Sequence, residues 1–271
     1  MADVPLLLKQ PGANIPPIKK YSDKFEGHVV LVTGAAQGIG KVTATMFAQQ
    51  GASMVLVDLN EAKLKETSAA LSATGAKVIH RVCNLTIEKD VRAMVDDVVS
   101  TLGKIDVCAH LAGAYPFKLI ADNTAEDYAR VMSVNMDSTF YLCKAVLPYM
   151  SKAGYGRIIN TTSASTLHPE AGLGVYAASK AAVTGFTRTL AIEAGPGVTA
   201  NCVCPSLIYN ETTWADPSAR EMFQRSVERQ PIKRFGLPID VAEVFCFVAS
   251  PETEYLTGQL FDVSGGFTHG A

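Results

Sequence analysis

Three side chains in the second half of the chain have the types and spacing for acid–base chemistry on a substrate oxygen. Tyr176 and Lys180 stand four residues apart in VYAASKAA, so a helix would place them on one face. A nearby ammonium favours the phenolate and lowers the pKa of a tyrosine from its ordinary value of ~10. Ser163 precedes them at the end of a predicted strand and could hydrogen-bond the same oxygen. A Tyr-x-x-x-Lys pattern alone often arises by chance, so it needs support from the rest of the chain.

A glycine-rich loop early in the chain is suited to binding a phosphate. Residues 33–40 read TGAAQGIG, with the spacing Gly-x-x-x-Gly-x-Gly. The loop is not a P-loop, because Ala35 replaces the first glycine and Val42 replaces the hydroxyl residue that holds magnesium. Nor is it Gly-x-Gly-x-x-Gly, since Thr43 occupies the last position. If the loop lies between a strand and a helix, its backbone N–H groups would bind a pyrophosphate. The alternative is that the glycines only form a structural turn.

Asp58 indicates which dinucleotide the loop would bind. It ends the second predicted strand, where a carboxylate accepts hydrogen bonds from the adenosine ribose hydroxyls. Its charge would repel the 2′-phosphate of NADP, and neither Gln37 nor Leu59 offers a compensating cation. NAD is therefore predicted over NADP. The alternative is that Asp58 or Asn60 caps the helix that begins near Glu61.

The surrounding sequence predicts an α/β protein with a doubly wound parallel sheet. Its strands are apolar on both faces and alternate with amphipathic stretches, which is typical of a sheet covered by helices on both sides. Right-handed crossovers are expected to place consecutive strands side by side. The predicted strands are 28–33, 53–58, 76–82, 105–112, 156–162, 198–204 and 258–263, and the predicted helices are 38–50, 60–73, 86–102, about 124–151, 173–194, 217–229 and 239–249.

Domain organisation and composition narrow the class of protein further. One domain is predicted over 25–271, with a flexible arm at 1–24 and a substrate loop at about 205–235. The net charge of −2 and the lack of a dense basic cluster argue against nucleic acid, and no apolar run approaches the ~20 residues of a membrane span. The six cysteines lack metal-site spacing and are expected to be buried free thiols. A soluble, cytoplasmic protein without a bound metal is predicted.

Together these motifs resemble the short-chain dehydrogenase/reductases over residues 25–267. The resemblance implies a Rossmann fold and an NAD-dependent oxidoreductase, an alcohol dehydrogenase or carbonyl reductase that transfers a hydride between the cofactor and a secondary alcohol or ketone. It implies that Tyr176 is the general acid/base, that Lys180 binds the nicotinamide ribose and lowers the tyrosine's pKa, and that Ser163 polarises the substrate oxygen. Asn135, in MSVNMDSTF, matches the asparagine that completes a proton relay through water.

The implied cofactor site follows the carboxyl ends of several strands. Its expected members are Gly34, Gln37, Gly38, Ile39 and Gly40 in the glycine loop, with Asp58, Leu59, Asn84, Leu85, Ala112, Gly113, Tyr176, Lys180, Pro205 and Ile208.

The chain departs from the family pattern at several of these positions. Residues 110–113 read HLAG instead of NNAG, and His110 is expected to be a hydrogen-bonded structural residue rather than a catalyst. Residues 84–86 read NLT instead of DLT, and the amide oxygen of Asn84 is expected to bind the adenine amino group. Near the carboxamide, Ser206 and Asn210 replace a glycine and a threonine, so backbone groups at Ile208 are expected to hold it.

The residues expected to face the substrate form an aromatic and apolar set. They are Ser163, Ser165, Tyr176, Tyr115, His168, Tyr209 and Trp214. No arginine is available to bind a phosphate or carboxylate, so an apolar or cyclic substrate is predicted. An acyl-transfer role for His168 is not favoured, because the chain has no Gly-x-Ser-x-Gly turn.

Assembly and two other functions stay open. A homotetramer is predicted mainly from the resemblance, with a larger intramolecular core as the alternative reason for apolar residues on helices 124–151 and 173–194. The chain could instead be a dinucleotide-binding protein without turnover, although the intact Ser163, Tyr176 and Lys180 argue against this. The second alternative is a non-redox lyase or cyclase on the same scaffold.

Overall fold

Seven parallel strands form one sheet in the computed structural model, which describes residues 23–210, 214 and 217–268. The strands are β1 (Val29–Thr33), β2 (Ser53–Asp58), β3 (Val78–Val82), β4 (Val107–His110), β5 (Gly156–Thr161), β6 (Val198–Pro205) and β7 (Leu260–Val263). All neighbouring pairs run parallel, as the apolar pattern of the strands predicts. The predicted arm at 1–24 lies almost entirely outside the described residues, as does part of the predicted loop at 205–235.

The prediction that consecutive strands are neighbours is wrong at one place. The order across the sheet is β3-β2-β1-β4-β5-β6-β7, so β4 pairs with β1 and not with β3. If every right-handed crossover moved across the sheet in the same direction, all helices would lie on one face of the sheet. To cover both faces, the chain returns from β3 to the other side of β1 and continues from β4 in the opposite direction. This reversal opens a crevice at the carboxyl ends of β1 and β4, where Thr33 lies beside His110.

Helices cover both faces of the sheet. They are α1 (Gly38–Gln49), α2 (Glu61–Ser72), α3 (Glu88–Leu102), α4 (Ala125–Met132), α5 (Ser138–Ala153), α6 (Gly174–Glu193), α7 (Pro217–Arg229) and α8 (Pro238–Val248). Buried side chains of α1, α2 and α8 pack on one face, and those of α3, α5 and α6 pack on the other. Within the described residues, no helix has both the length and the apolarity to cross a bilayer.

The core consists of two apolar layers that share the strands between them. In β1, Val30 and Val32 pack in the layer under α1 and α8, while Val29 and Leu31 pack in the layer under α3 and α5. Side chains alternate along a strand, so both faces have to be apolar when both are covered. Burying each such side chain contributes ~1.5–3 kcal/mol. All six cysteines are buried and free, as predicted.

The predicted long helix 124–151 is interrupted by a π-helical turn, Ser133–Asp137, between α4 and α5. The backbone N–H of Ser138 donates to the carbonyl of Ser133, five residues back. Two hydroxyls then satisfy the next carbonyls, since Ser138 Oγ donates to Val134 O at 2.6 Å and Thr139 Oγ1 donates to Asn135 O at 2.7 Å. Such turns are frequent at functional sites, and this one contains Asn135.

Candidate active site

The glycine loop between β1 and α1 leaves room for a ligand at one glycine and none at another. A Cβ on Gly40 would lie 2.1 Å from the carbonyl oxygen of Gly34, so the start of α1 packs directly on the backbone of the loop. Gly38 has a φ of +57°, which favours glycine, and a Cβ there would meet no atom within 4 Å. Since Gly38 is the first residue of α1, this open space lies at a helix N-terminus, which favours a phosphate.

Asp58 connects the glycine loop to the end of β2. Its Oδ2 accepts the backbone N–H of Ala36 at 3.1 Å, and its Oδ1 accepts that of Asn60 at 2.9 Å. The cap of α2 is Asn60, whose Oδ1 accepts the N–H of Lys63 at 3.1 Å. The alternative that Asp58 itself caps this helix is therefore wrong. Its carboxylate lies beside the glycine loop, where it was predicted to accept ribose hydroxyls.

A cation that the sequence did not indicate lies at the glycine loop. Lys63 Nζ donates to Gln37 Oε1 at 2.6 Å, and Gln37 immediately follows the Ala36 that Asp58 holds. Gln37 and Leu59 themselves carry no charge, but Lys63 brings one from the first turn of α2. The sequence around Asp58 does not reveal this cation, because Lys63 reaches Gln37 only through the packing of α2 beside the loop.

Ser163, Tyr176 and Lys180 come together at the carboxyl ends of β5 and β6. Ser163 follows β5 and begins a short 3₁₀ turn, where its Oγ accepts the N–H of Ser165 at 3.2 Å. The Ser163 side chain also lies near the Tyr176 hydroxyl, where it acts to lower the pKa of the tyrosine. Lys180, one turn after Tyr176 on α6, lies with its Nζ 5.9 Å from the centre of the tyrosine ring and donates to Thr161 O at 2.9 Å.

Burial is the largest cause of the pKa shifts of Tyr176 and Lys180. It raises the pKa of Tyr176 to about 12, and the nearby Ser163 side chain only partly opposes this. It also lowers the pKa of Lys180 to about 8. The predicted lowering of the tyrosine's pKa by the ammonium therefore does not prevail in this arrangement, because desolvation of the phenolate outweighs it and the Lys180 ammonium is directed at a backbone carbonyl.

Asn135 lies beside this group. Its amide accepts the N–H of Ala114 at 2.9 Å and donates to Ala114 O at 2.9 Å and to Ser179 Oγ at 3.0 Å. Gly113 is held between Asn135 and Lys180, since a Cβ there would lie 2.9 Å from Asn135 Oδ1 and 3.3 Å from Lys180 Nζ. The predicted catalytic residues thus meet at one edge of the sheet, and the water relay stays a prediction.

These features agree with comparisons to known proteins. A family model described as enoyl-(acyl carrier protein) reductase matches residues 34–268. The 3-oxoacyl-(acyl-carrier-protein) reductase FabG of Thermotoga maritima is 37% identical over 244 residues, which cover 90% of this chain and 98% of that protein. The chain belongs to the short-chain dehydrogenase/reductases. As a member of this family, it is an NAD(P)-dependent oxidoreductase that acts on CH–OH groups.

Solved structures of short-chain dehydrogenase/reductases share its Rossmann fold. An NAD⁺-bound xylitol dehydrogenase superposes with a TM-score of 0.85 at 30% identity, and the match covers 90% of this chain and 100% of that one. A short-chain dehydrogenase/reductase of the glucose/ribitol dehydrogenase type from Brucella melitensis gives a TM-score of 0.85 at 29% identity, with 91% and 99% covered.

At the departures from the family pattern, this short-chain dehydrogenase/reductase makes its own hydrogen bonds. His110 is a structural residue, as predicted, with bonds from its ring to Thr33 and Ser138. The amide oxygen of Asn84 accepts both the N–H and the hydroxyl of Thr86, at 3.1 and 2.8 Å. Both of its lone pairs thus serve this turn, and the contact predicted between that oxygen and adenine stays a prediction.

The remaining predicted cofactor residues lie around the same edge. Leu85 is buried in the apolar core, Ala112 donates its N–H to Thr33 Oγ1 at 3.1 Å, and Pro205 ends β6. Ile208 pairs with Gly236 through an isolated parallel bridge. Leu59 is exposed, and Ile39 packs partly buried at the start of α1.

Several of the predicted substrate residues make aromatic contacts. The ring of Tyr115 lies 6.3 Å from that of Tyr176, and its hydroxyl accepts Asn210 Nδ2 at 3.4 Å. The ring centre of Trp214 lies 5.7 Å from that of Tyr209 and 5.2 Å from that of Phe235. These three residues form an aromatic cluster beyond β6.

The ring of His168 lies 4.6 Å from that of Phe267, near the end of the described chain. Ser165 Oγ is buried, and no hydrogen-bond partner for it lies among the described atoms. Phe235 and Phe267 were not anticipated, because each is distant in sequence from every motif and only the fold brings it against a predicted substrate residue.

Proposed function

We propose that this chain catalyses reversible hydride transfer between NAD and a secondary alcohol or ketone, with Tyr176 as the general acid/base. The observation that carries the proposal is the placement of Ser163, Tyr176 and the buried Lys180 together, with the Lys180 ammonium 5.9 Å from the centre of the Tyr176 ring. This group lies at the same edge of the sheet as the open glycine loop, so a dinucleotide bound along that edge would reach it.

The residues of the chain perform the proton part of the reaction. With its pKa held high by burial, the Tyr176 hydroxyl stays protonated at neutral pH and can donate a proton to a carbonyl oxygen that Ser163 orients. Alcohol oxidation needs the phenolate, whose formation a protonated Lys180 beside the ring assists against the opposing effect of burial. A bound NAD would supply the acceptor for the hydride of the alcohol carbon. Asn135 fixes the backbone of Ala114 next to Lys180, where a proton would leave the site.

NAD is the proposed cofactor because Asp58 presents its carboxylate beside the glycine loop. Two ribose hydroxyls could donate to it, whereas a 2′-phosphate would be repelled. Lys63 makes this repulsion smaller than the sequence suggested, since its ammonium lies at Gln37. The NAD⁺-bound xylitol dehydrogenase is a similar protein that binds this cofactor.

The proposed substrate is an apolar or cyclic alcohol or ketone. The aromatic cluster of Tyr209, Trp214 and Phe235 and the nearby ring of Tyr115 favour such a molecule. The proteins compared above are reductases and dehydrogenases, so the comparisons give no support to a lyase, a cyclase or a binding protein without turnover.

The experiment that tests this function is an assay of the full chain with NAD and a panel of cyclic and acyclic secondary alcohols. Formation of reduced cofactor is followed by absorbance, and the same panel is run with NADP. Activity that disappears in Tyr176→Phe while NAD still binds would agree with the proposal. No turnover of any alcohol in the panel, despite NAD binding, would favour a binding protein.

We further propose a cytoplasmic homotetramer. Phe140 on α5 is partly exposed and packs on Phe186 of α6 at 6.1 Å, and Ile192 on α6 is 85% exposed. Apolar side chains on two adjacent helices favour a contact with another copy. The free buried thiols fit a reducing compartment. Light scattering at micromolar concentration should give the mass of four chains, and a monomer would contradict the assembly.

A further inference from the structure

His110 bridges two elements that surround the proposed nicotinamide site. It ends β4 beside the end of β1, and its side chain is only 2% exposed. Its Nδ1 lies 2.8 Å from Thr33 Oγ1, and its Nε2 lies 3.1 Å from Ser138 Oγ on the first turn of α5. One imidazole ring therefore connects the start of the glycine loop to the helix that follows the π-turn.

Counting donors and acceptors fixes the direction of each bond. Thr33 Oγ1 accepts the backbone N–H groups of Leu111 at 3.0 Å and Ala112 at 3.1 Å, which use both of its lone pairs. Its proton must then go to Nδ1 of His110, so Nε2 carries the ring proton and donates to Ser138. The Ser138 hydroxyl in turn donates to Val134 O at 2.6 Å. A single tautomer satisfies every group in this buried chain.

Both ends of the chain of bonds support the segment 111–114. At one end, Thr33 binds the N–H groups of Leu111 and Ala112. At the other end, Ser138 binds a carbonyl of the π-turn, and Asn135 from that turn binds both the N–H and the C=O of Ala114. Gly113, between these supports, lies against Asn135 and Lys180. The position of Asn135 thus depends on the π-turn, which His110 holds through Ser138.

We propose that His110 is a positioning residue that fixes the segment 111–114 and Asn135 relative to each other, and so sets the geometry beside Lys180. The inference rests on the proposed function for its kinetic consequence, because it assumes that Asn135 serves proton transfer. An asparagine at position 110 would be shorter than imidazole and would not span both partners without a shift of β1 or α5. In this chain, the longer side chain of His110 on β4 reaches Ser138 of α5 and hydrogen-bonds it.

Ser138→Ala tests the proposal most directly, because it cuts the link to α5 and leaves the bond between His110 and Thr33 in place. We expect kcat to fall tenfold or more, while the dissociation constant of NAD, measured by calorimetry, changes less than threefold. The matched control is Thr187→Ala on α6. Thr187 is also buried, and its hydroxyl also donates to the carbonyl four residues back, at 2.8 Å, but outside this network.

Two measurements do not depend on turnover and so separate this proposal from the proposed function. Nitrogen NMR of the His110 ring should show the Nε2–H tautomer in the parent and a changed Nε2 signal in Ser138→Ala. Hydrogen exchange of the Ala114 amide should become at least tenfold faster in Ser138→Ala and not in Thr187→Ala. Equal losses of kcat in the two variants, with unchanged exchange at Ala114, would show that His110 contributes only to stability and would overturn the proposal.

Discussion

Cofactor choice is the property that the carboxylate of Asp58 should control most strongly. Each of its oxygens accepts one backbone N–H, from Ala36 or from Asn60, which leaves each a further acceptor position for a ribose hydroxyl. Hydrogen bonds to a charged group contribute ~1.5–3 kcal/mol each, so two at the lower end give roughly 3 kcal/mol, or more than a hundredfold in affinity. Asp58→Ala should therefore weaken NAD about a hundredfold and improve NADP, because the repelling charge is gone.

Lys63 should act in the opposite direction. An exposed ion pair contributes ~0.2–1 kcal/mol, and the ammonium of Lys63 lies on the exposed side chain of Gln37. Lys63→Ala should therefore lower the affinity for NADP by up to about fivefold and leave that for NAD nearly unchanged. The parent is expected to discriminate less against NADP than Asp58 alone would dictate.

The assay combines turnover with binding to the adenosine pocket. Values of kcat/KM for NAD and NADP are compared across the parent and the variants, and calorimetry measures 5′-AMP and adenosine 2′,5′-bisphosphate without turnover. Asp58→Asn is the control for shape, since it keeps one acceptor oxygen without the charge. Equal use of both cofactors by the parent would show that Asp58 only ties the glycine loop to β2. If Lys63→Ala weakened the binding of both nucleotides equally, Lys63 would have no part in the choice between NAD and NADP.

Three further results are expected. Tyr176→Phe should lose ~10²-fold or more in kcat with NAD binding kept within threefold, because only the proton-transferring hydroxyl is removed, and an equal loss of NAD affinity would contradict this role. Lys180 has a pKa of about 8 in the fold and 10.5 when unfolded, so its burial costs stability below pH 8 and this cost is relieved as pH rises towards 10.5. The melting temperature of Lys180→Met should thus exceed that of the parent by more at pH 7 than at pH 10. An equal difference at both pH values would refute the lowered pKa. Burial lowers the pKa of His110 from 6.5 to about 3, so its contribution to stability is present above pH 6.5 and is lost as pH falls towards 3. His110→Asn should lose less stability than the parent between pH 6.5 and 4, and an identical acid profile would show that His110 does not titrate with unfolding.

Much of the fold could be predicted because both faces of the sheet are covered. The strands are then apolar throughout, and every predicted strand and helix has a counterpart in the structure within a few residues. The position of β4 could not be predicted from this pattern, because strands buried on both sides look alike wherever they lie in the sheet. The π-turn at 133–137 carries no proline or glycine, so nothing in local composition distinguishes it from regular helix.

The candidate site was predictable where a role depends on spacing along one element. Tyr176 and Lys180 meet because they share a helix face, and Ser163 joins them because β5 ends beside α6. Contacts between distant elements were not predictable in this way. Examples are the ammonium of Lys63 at Gln37 and the pairing of His110 with Ser138, which depend on how two elements pack.

The π-turn also sets the rotational phase between α4 and α5. An α-helix advances roughly 100° per residue, so the wider turn lets the two helices present buried faces that a continuous helix would not align. Val131 before the turn and Leu142 after it are both fully buried. Regularising 133–137 into α-helix without removing a residue would rotate one of these side chains roughly 100° away from the interior. The angle at which Asn135 enters the active site is therefore tied to the packing of α5 on the sheet, and the two can change only together.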